Sequence, residues 1–558
     1  MANSPRQIGI NMHKFTLSIF ATVLSPFAVN ADSTPLDKVA YTFNKEEQCQ
    51  FNTNVQNQRF DTVLSNGRVM DPECQFDGVR NVGIRDGKIV AISKQELPSD
   101  NTVDVKGLVV APGFIDTHTH SSNKFNIKMA MMDGVTTAMD YEVGAMNIRE
   151  WYDREEGKWP INYGTCVSHE MARMMVMDKM AITDPVDANE LFTLRGASRF
   201  EDGIDDWSVT VANEEQLSAI IKILDENLQQ GALCVGTTVG YAKDGVSTKE
   251  MYEAQKIAAQ YQRPTSGHSR FHGYSKTPNE APLGFDELFT NAMALGAPLL
   301  YSHNNDYGWK QIETKMKAAR SQGHIVWGEY YPYEALSTSI GADLLQPKYY
   351  EDVFGMSYSE TMYDPVQDKY LDREDYEKVV KKEPGRSVVV FNPSRKAWLP
   401  EWLEEENMSV ASDAMWSTDP THHWGTDPSK FKGHPRTAGS HSRVLRLVRE
   451  HDISLMNAVN QLSFVSAKFL GQTGLEFMNE RGRIQVGKVA DITIFDPSLV
   501  KDMAGYATGT NGLPPRGIPH VMVGGTFVKF NNQSTDKFAG LAVRYPERKD
   551  SLRENIQL

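Results

Sequence analysis

The run Gly113-Phe114-Ile115-Asp116-Thr117-His118-Thr119-His120 sets two imidazoles two residues apart behind an apolar lead. On an extended strand, residues two apart point to the same side. His118 and His120 therefore aim at one point, and imidazole is a preferred ligand of zinc and related divalent ions. A His-x-His pair is a weak signal by itself. Here it closes an apolar strand, and three more residues of the right chemistry end short strand-like runs. His268 ends Pro264-Thr265-Ser266-Gly267-His268, His303 ends Pro298-Leu299-Leu300-Tyr301-Ser302-His303, and Asp413 follows Ser409-Val410-Ala411-Ser412. A divalent ion lowers the pKa of water and polarises a carbonyl. A carboxylate beside it can take the water's proton and hand it to a leaving amine. Four His and one Asp thus read as a metal-hydrolase set, provided the fold gathers them.

The elements that must gather them alternate along the middle of the chain. Strand candidates are Gly113–Thr117, Thr136–Glu142, Ile161–Ser168, Ala232–Val239, Thr265–Ser269, Pro298–His303, His324–Tyr331 and Ser409–Ser412. Helical patterns lie between them, as in Glu214–Gln229 with Leu217, Ile220, Ile221 and Leu224 on one face. Eight such units predict an α/β fold, a (β/α)8 TIM barrel over 111–479, whose active site lies at the C-terminal ends of the strands. Residues 341–390 are rich in Tyr, Asp, Glu and Lys with little apolar periodicity, and read as an inserted loop or lid. Ser387–Phe391 is a further strand candidate there. Both ends are β-rich. Asn66-Gly67 and Asp86-Gly87 read as turns, Asp491–Asp496 alternates, and Gly524-Gly525 interrupts His520–Val528. Residues 59–110 and 480–558 are therefore expected to build a small composite β-sandwich domain.

These segments resemble the amidohydrolase superfamily, and within it the N-acyl-D-amino-acid deacylase (D-aminoacylase) family. The resemblance runs from about Arg59 to Lys529. It is carried by Val110-Ala111-Pro112-Gly113 leading into His118-Thr119-His120, by Gly134-Val135-Thr136-Thr137, and by Tyr331-Pro332-Tyr333 with Ser337-Thr338. His434-Pro435-Arg436-Thr437, Arg481-Gly482-Arg483-Ile484 and Gly487-Lys488-Val489-Ala490-Asp491 complete it. The resemblance implies that His118 and His120 bind one metal and His268 and His303 a second. It implies that Asp413 contacts the metal and serves as general base and later proton donor, with zinc, as one or two ions, the expected cofactor. The bridging position departs from the family. Val143 stands where D-aminoacylases keep a Cys, and Ala232–Val239 contains no Lys for a carboxylated bridge. Glu142 is the replacement ligand, since a carboxylate can hold one metal or bridge two.

Arg270 and Arg436 are candidates to grip a substrate carboxylate, and Tyr241 and Tyr333 to hydrogen-bond the amide or its tetrahedral form. After His303 the family usually carries a basic residue, whereas here Asn304-Asn305-Asp306 follows. His422-His423 reads as a loop pair near the pocket. The expected activity is metal-dependent hydrolysis of a linear amide, that of an N-acyl-D-amino acid. The alternatives are a cyclic amidase or dipeptidase of the same superfamily and, in another class, a non-catalytic binding protein.

Composition bounds the partners. The chain has 558 residues, with 58 basic against 72 acidic, a net charge of −14. Binding to a nucleic-acid backbone needs a basic surface, so no nucleic-acid partner is expected; the small-molecule partner, an N-acylated amino acid or similar amide, is what the resemblance implies. Only four Cys occur, none in a CxxC pair, which argues against a zinc ribbon or iron–sulfur cluster, while 14 His remain available. Met12-His13-Lys14, the apolar run Phe15 to Val29 and Val29-Asn30-Ala31 read as a signal peptide, 1–31, with an N-terminal extension 32–58 after it. Export to the periplasm or medium follows, with no membrane contact after cleavage. In an oxidising compartment Cys49 and Cys74 are open to pairing or to remaining thiols. Cys166 and Cys234, in apolar runs, read as core residues.

Overall fold

In the computed structural model the described residues are Cys49, Phe51, 59–202, 205–272 and 280–548. The expected signal peptide 1–31 and nearly all of the extension 32–58 lie outside them. Five strands precede the barrel: β1 (Thr62–Asp71), β2 (Phe76–Arg85), β3 (Lys88–Ser93), β4 (Thr102–Asp104) and β5 (Val109–Pro112). Asp86-Gly87 makes the β2–β3 turn with both residues at positive φ, as a two-residue hairpin requires. Asn66-Gly67 is no turn. β1 runs straight through it, and the register against β2 shifts between Leu64 and Gly67, so the pair forms a bulge with Asn66 at φ 62°. A side chain on Gly67 would collide with Val110 and Val105, which is why glycine sits at this crossing.

The barrel strands are β6 (Phe114–Asp116), β7 (Val135–Ala145), β8 (Asn162–Ser168), β9 (Val235–Thr237), β10 (Thr265–Gly267), β11 (Leu299–Tyr301) and β12 (Val326–Tyr330). Strands β13 (Ala335–Ser339), β14 (Met362–Asp364), β15 (Lys369–Tyr370) and β16 (Ser387–Phe391) form a separate four-stranded sheet. The eighth barrel strand, β17 (Met408–Val410), follows it. Barrel neighbours pair in parallel from β6 through β12 to β17. The ring is drawn shut between first and last strands where Asp413 N–H donates to His118 O at 2.7 Å and His120 N–H to Ala414 O at 2.9 Å. Every residue of these eight strands is buried, the mark of a parallel sheet covered by helices on one face and filled on the other. Ile115, Met139, Tyr141, Leu233, Leu300 and Trp327 fill the interior. The helix Glu214–Gln229 lies outside, buries the four apolar residues on its inner face, and starts with a capping box of Asn213 and Gln216. Such a cap stabilises by about 1 kcal/mol.

After the barrel come β18 (Ile492–Phe495), β19 (His520–Val523), β20 (Thr526–Phe530) and β21 (Gln533–Ser534). They join the N-terminal strands in one nine-stranded sheet, in the order β21-β20-β19-β18-β5-β1-β2-β3, with β4 beside β1. The two ends of the chain meet where β18 runs antiparallel to β5, Ile494 opposite Val110.

Two more readings are revised or extended. Cys166 and Cys234 are bonded to each other, as are Cys49 and Cys74, and no described cysteine is free. Val167 pairs with Val235, so Cys166 and Cys234 lie side by side on neighbouring strands, a register that the sequence of either strand leaves open. The segment read as an inserted loop or lid is folded. It opens at β13 and has its own core of Ile340, Leu345, Leu371 and Val388, with Tyr350, Tyr358 and Tyr376 stacked at 4.7 Å centroid spacings. Tyrosine rings supply the apolar area, so an aliphatic periodicity is absent although a core is present.

Candidate metal centre

His118 and His120 stand two and four residues beyond β6, and their Nε2 atoms are 3.1 Å apart. Glu142 comes from β7, whose register against β8 slips between Asp140 and Ala145. The slip is a bulge that throws Glu142 toward the barrel axis. Gly144, at φ 74°, makes it possible, since a side chain there would meet Cys166 O at 2.6 Å. Glu142 Oε2 then lies 2.9 Å from His118 Nε2 and 3.1 Å from His120 Nε2. Its other oxygen, Oε1, faces His268 Nδ1 at 3.3 Å and His303 Nε2 at 3.7 Å. Asp413 completes the cluster, with Oδ1 at 3.5 and 3.3 Å from His118 and His120 and Oδ2 at 3.2 Å from His303 Nε2.

Donor atoms of His118, Glu142, His303 and Asp413 all lie within 4.8 Å of one another, and all four residues are buried. Ligand atoms about 2.0–2.1 Å from a tetrahedral ion stand about 3.3 Å apart, the spacing found here. Glu142 Oε1 is buried and accepts no hydrogen bond, a costly state for a carboxylate unless a cation completes it. The donor set fits a divalent metal, and Glu142 spans two groups of donors.

The backbone is strained where it delivers two of these side chains. His303 and Asp413 adopt left-handed φ of 54° and 50°, each costing about 1–3 kcal/mol without glycine. The hydrogen bond from Asp413 N–H to His118 O, and one of 2.7 Å from Asn304 N–H to Glu329 O, hold the two turns. Electrostatics follow from the crowding. Burial pushes the Glu142 carboxyl up, but the imidazoles of His303 and His118 outweigh it and hold it well below the usual carboxylate range. Burial opposes Asp413 too, and Arg436 with His118 and His303 hold it well below its usual value. For His118 and His120 burial disfavours the cation, yet the surrounding carboxylates raise both well above the ordinary imidazole value.

Behind His118 stands Glu329 of β12, unremarked in the sequence. Its Oε1 is 2.5 Å from His118 Nδ1, and its Oε2 accepts from Thr117 Oγ1 at 2.5 Å. A carboxylate on the far nitrogen of a ligating imidazole fixes the tautomer that presents Nε2 to the metal. Glu329→Gln is expected to weaken metal affinity by about 10–100-fold. Competition with a chromophoric chelator measures this, and unchanged affinity would refute the role.

The centre opens into a cavity of about 930 Å³, mouth included, roofed by the insertion through Leu336, Leu344, Leu345 and Phe354. Tyr241 lines it, its hydroxyl 3.1 Å from Thr338 Oγ1, and burial pushes its pKa up to about 12. Of the other three expected substrate contacts, none lines the cavity, and two lie away from the site. Arg270 turns away to Glu287 at 2.7 Å and to the carbonyls of Lys243 and Val246, because a nearly buried guanidinium takes the acceptors that satisfy its fork. Tyr333 packs behind the wall under Arg443, with its hydroxyl 3.4 Å from Pro435 O. A tight turn, Tyr333 N–H to Tyr331 O, ends the strand alternation, and Tyr331 lines the cavity in its place. Arg436 reaches the site but is spent on Asp413, Nη1 to Oδ2 at 2.7 Å, and lies over the Tyr331 ring. His422 packs on Phe125, and neither His422 nor His423 lines the cavity. His272 does line it, held well below the ordinary imidazole value by burial and by His268 and His303. Its spacing four residues after His268 was the available signal.

Residues 101–528 match the amidohydrolase family model. D-aminoacylase of Alcaligenes xylosoxydans xylosoxydans is 24% identical over 513 residues, 87% of this chain and 97% of that protein. The N-acyl-D-aspartate deacylase of the same organism is 24% identical over 449 residues, 76% of this chain and 84% of that protein. Among solved structures, N-acyl-D-glutamate deacylase of Bordetella bronchiseptica, complexed with zinc and a phosphonate mimic of the tetrahedral intermediate, superposes with a TM-score of 0.68. It is 21% identical, covering 88% of this chain and all of that one.

Proposed function

From the premise that the chain belongs to the amidohydrolase family, a metal-dependent hydrolase of non-peptide carbon–nitrogen bonds, we propose that it is a zinc-dependent N-acyl-D-amino-acid deacylase. The observation that carries the reading is Asp413, a buried carboxylate touching three imidazoles and one guanidinium at the barrel mouth. His118, His120, Glu142, His268, His303 and Asp413 are the residues that would hold the metal. A bound zinc ion supplies Lewis acidity to the scissile carbonyl and lowers the pKa of water.

The protein's own residues do the rest. Asp413 is ionised at neutral pH and so accepts a proton as the water oxygen bonds to the acyl carbon. Arg436 holds Oδ2, which leaves Oδ1 directed at the imidazole pair. When the carbon–nitrogen bond breaks, the same carboxyl returns its proton to the leaving nitrogen. Tyr241 stays protonated and can donate to the carbonyl oxygen as negative charge develops there. The lid excludes bulk water, which strengthens each of these contacts. Glu142 in place of a carboxylated lysine supports the linear amide over a cyclic one, since the first lysine after β9, Lys243, pairs with Asp244. Both disulfides suit the oxidising compartment that the proposed export provides.

Zinc-loaded protein offered matched N-acyl-D- and N-acyl-L-amino acids, dipeptides and cyclic imides tests the reading. Turnover confined to the linear D-substrates is expected. Hydrolysis of the cyclic imides alone would overturn it.

A further inference from the structure

His272 takes no part in the reaction outlined above, yet it forms one corner of a triangle of imidazoles. Ring centroids are 4.9 Å apart for His268 and His272, 5.1 Å for His268 and His303, and 5.1 Å for His272 and His303. The planes are tilted by 67°, 66° and 47°, so the rings form a cup and do not stack. Three imidazoles on one tetrahedral ion, with metal–nitrogen bonds of about 2.0–2.1 Å, place their centroids about 5 Å apart. The buried Glu142 Oε1, without a hydrogen bond, faces the same space, 3.3 Å from His268 Nδ1 and 3.7 Å from His303 Nε2.

The far side of His272 is also prepared. Its Nε2 lies 3.7 Å from Asp306 Oδ2, beyond hydrogen-bond distance but with the carboxylate on the Nε2 side of the ring, so Nδ1 is the nitrogen assigned as the ligand atom. Asp306 is itself held by Arg395 at 2.6 Å and by Asn392 Nδ2 at 3.2 Å. A fixed carboxylate behind an imidazole is the support that metal-bound histidines have. It parallels Glu329 behind His118.

We propose that His272 is a third imidazole ligand of a second cation position, formed with His268, His303 and Glu142, and that Asp306 orients it. This rests on the reading of the cluster as a metal centre. The test is to strip the full chain with chelator and titrate it with Zn²⁺ and with Co²⁺. Metal content is followed by mass spectrometry and cobalt coordination by visible absorption. Two ions are expected in the unaltered protein. His272→Asn and His272→Gln should bind the first ion as before and the second at least tenfold more weakly, with an altered cobalt spectrum for that ion. Asp306→Asn should weaken the same ion by a smaller factor. Unchanged melting temperatures separate ligand loss from misfolding. Two ions bound with unchanged affinity and spectrum in both His272 variants would overturn the proposal. So would a single ion in the unaltered protein that neither variant weakens. Failure of the unaltered protein to bind any ion would instead remove the metal-centre reading, and this proposal with it.

Discussion

Asp413→Asn is expected to lower kcat by about 10³–10⁴-fold, the upper part of the range for loss of a general acid–base, while the protein still binds metal. Asn keeps the size of the side chain and an oxygen that can face His118 and His120. It cannot accept the proton of water at neutral pH, and it cannot return one to the leaving nitrogen. The change also leaves Arg436, buried and 2.7 Å from Oδ2, without its counter-charge. Removing one partner of such a pair costs about 3–5 kcal/mol, so a lower melting temperature should accompany the lost turnover. Metal content by mass spectrometry and single-turnover rates on an N-acyl-D-amino acid separate the two effects. Activity within tenfold of the unaltered enzyme would assign the proton transfers to another group.

Glu142→Gln should be as damaging for a different reason. One carboxylate faces His118 and His120 through Oε2, and His268 and His303 through Oε1. A neutral amide removes the only carboxylate among the described residues that approaches all four imidazoles. Metal affinity is expected to fall by about 100-fold or more, since a charged partner lost from a buried cluster costs about 3–5 kcal/mol. Excess zinc should restore part of the activity. Stoichiometric zinc retained through chelator dialysis would show that Glu142 is not a ligand.

The pH dependence has a definite sign. Imidazole binds metal only when neutral, and His118 and His120 are raised well above the ordinary value of 6.5. Zinc affinity of the metal-free protein should therefore climb with pH through and above neutrality, with proton release on binding. The same shifts bear on stability without metal. What these imidazoles contribute is fully present below about pH 6.5 and is lost as pH rises through their raised folded values. Glu142 and Asp413 are lowered in the folded state, so their contribution holds above the ordinary carboxylate range and is lost as pH falls through those lower values. Isothermal titration across pH 6 to 9, where a flat profile would contradict the assignment, checks the first statement.

All eight barrel strands were legible in the sequence as short strand-like runs between helical patterns, most of them apolar because both faces are buried, although β10 is Thr265-Ser266-Gly267. His118, His120, His268, His303 and Asp413 were legible because each ends such a run, where a barrel collects its chemistry. Glu142 came from the resemblance, as the acidic neighbour of the position where the family keeps a ligand. The bulge that aims it depends on Gly144 against Cys166, a contact across strands. Arg270 and Tyr333 were misplaced because residue type alone does not tell which acceptors a buried guanidinium will meet, or where a strand turns.

Sequence alone therefore determined the kinds of donor, the strand ends that carry them and the family they resemble, all of which are local properties of the chain. Tertiary structure decided which donors meet. His118 and Glu329 are 211 positions apart and share a 2.5 Å contact, and Arg436 meets Asp413 at 2.7 Å. The Cys166–Cys234 bond and the His268, His272, His303 triangle arise in the same way. Each depends on barrel closure and strand register, which are set by the packing of the whole ring and leave no period in any one segment.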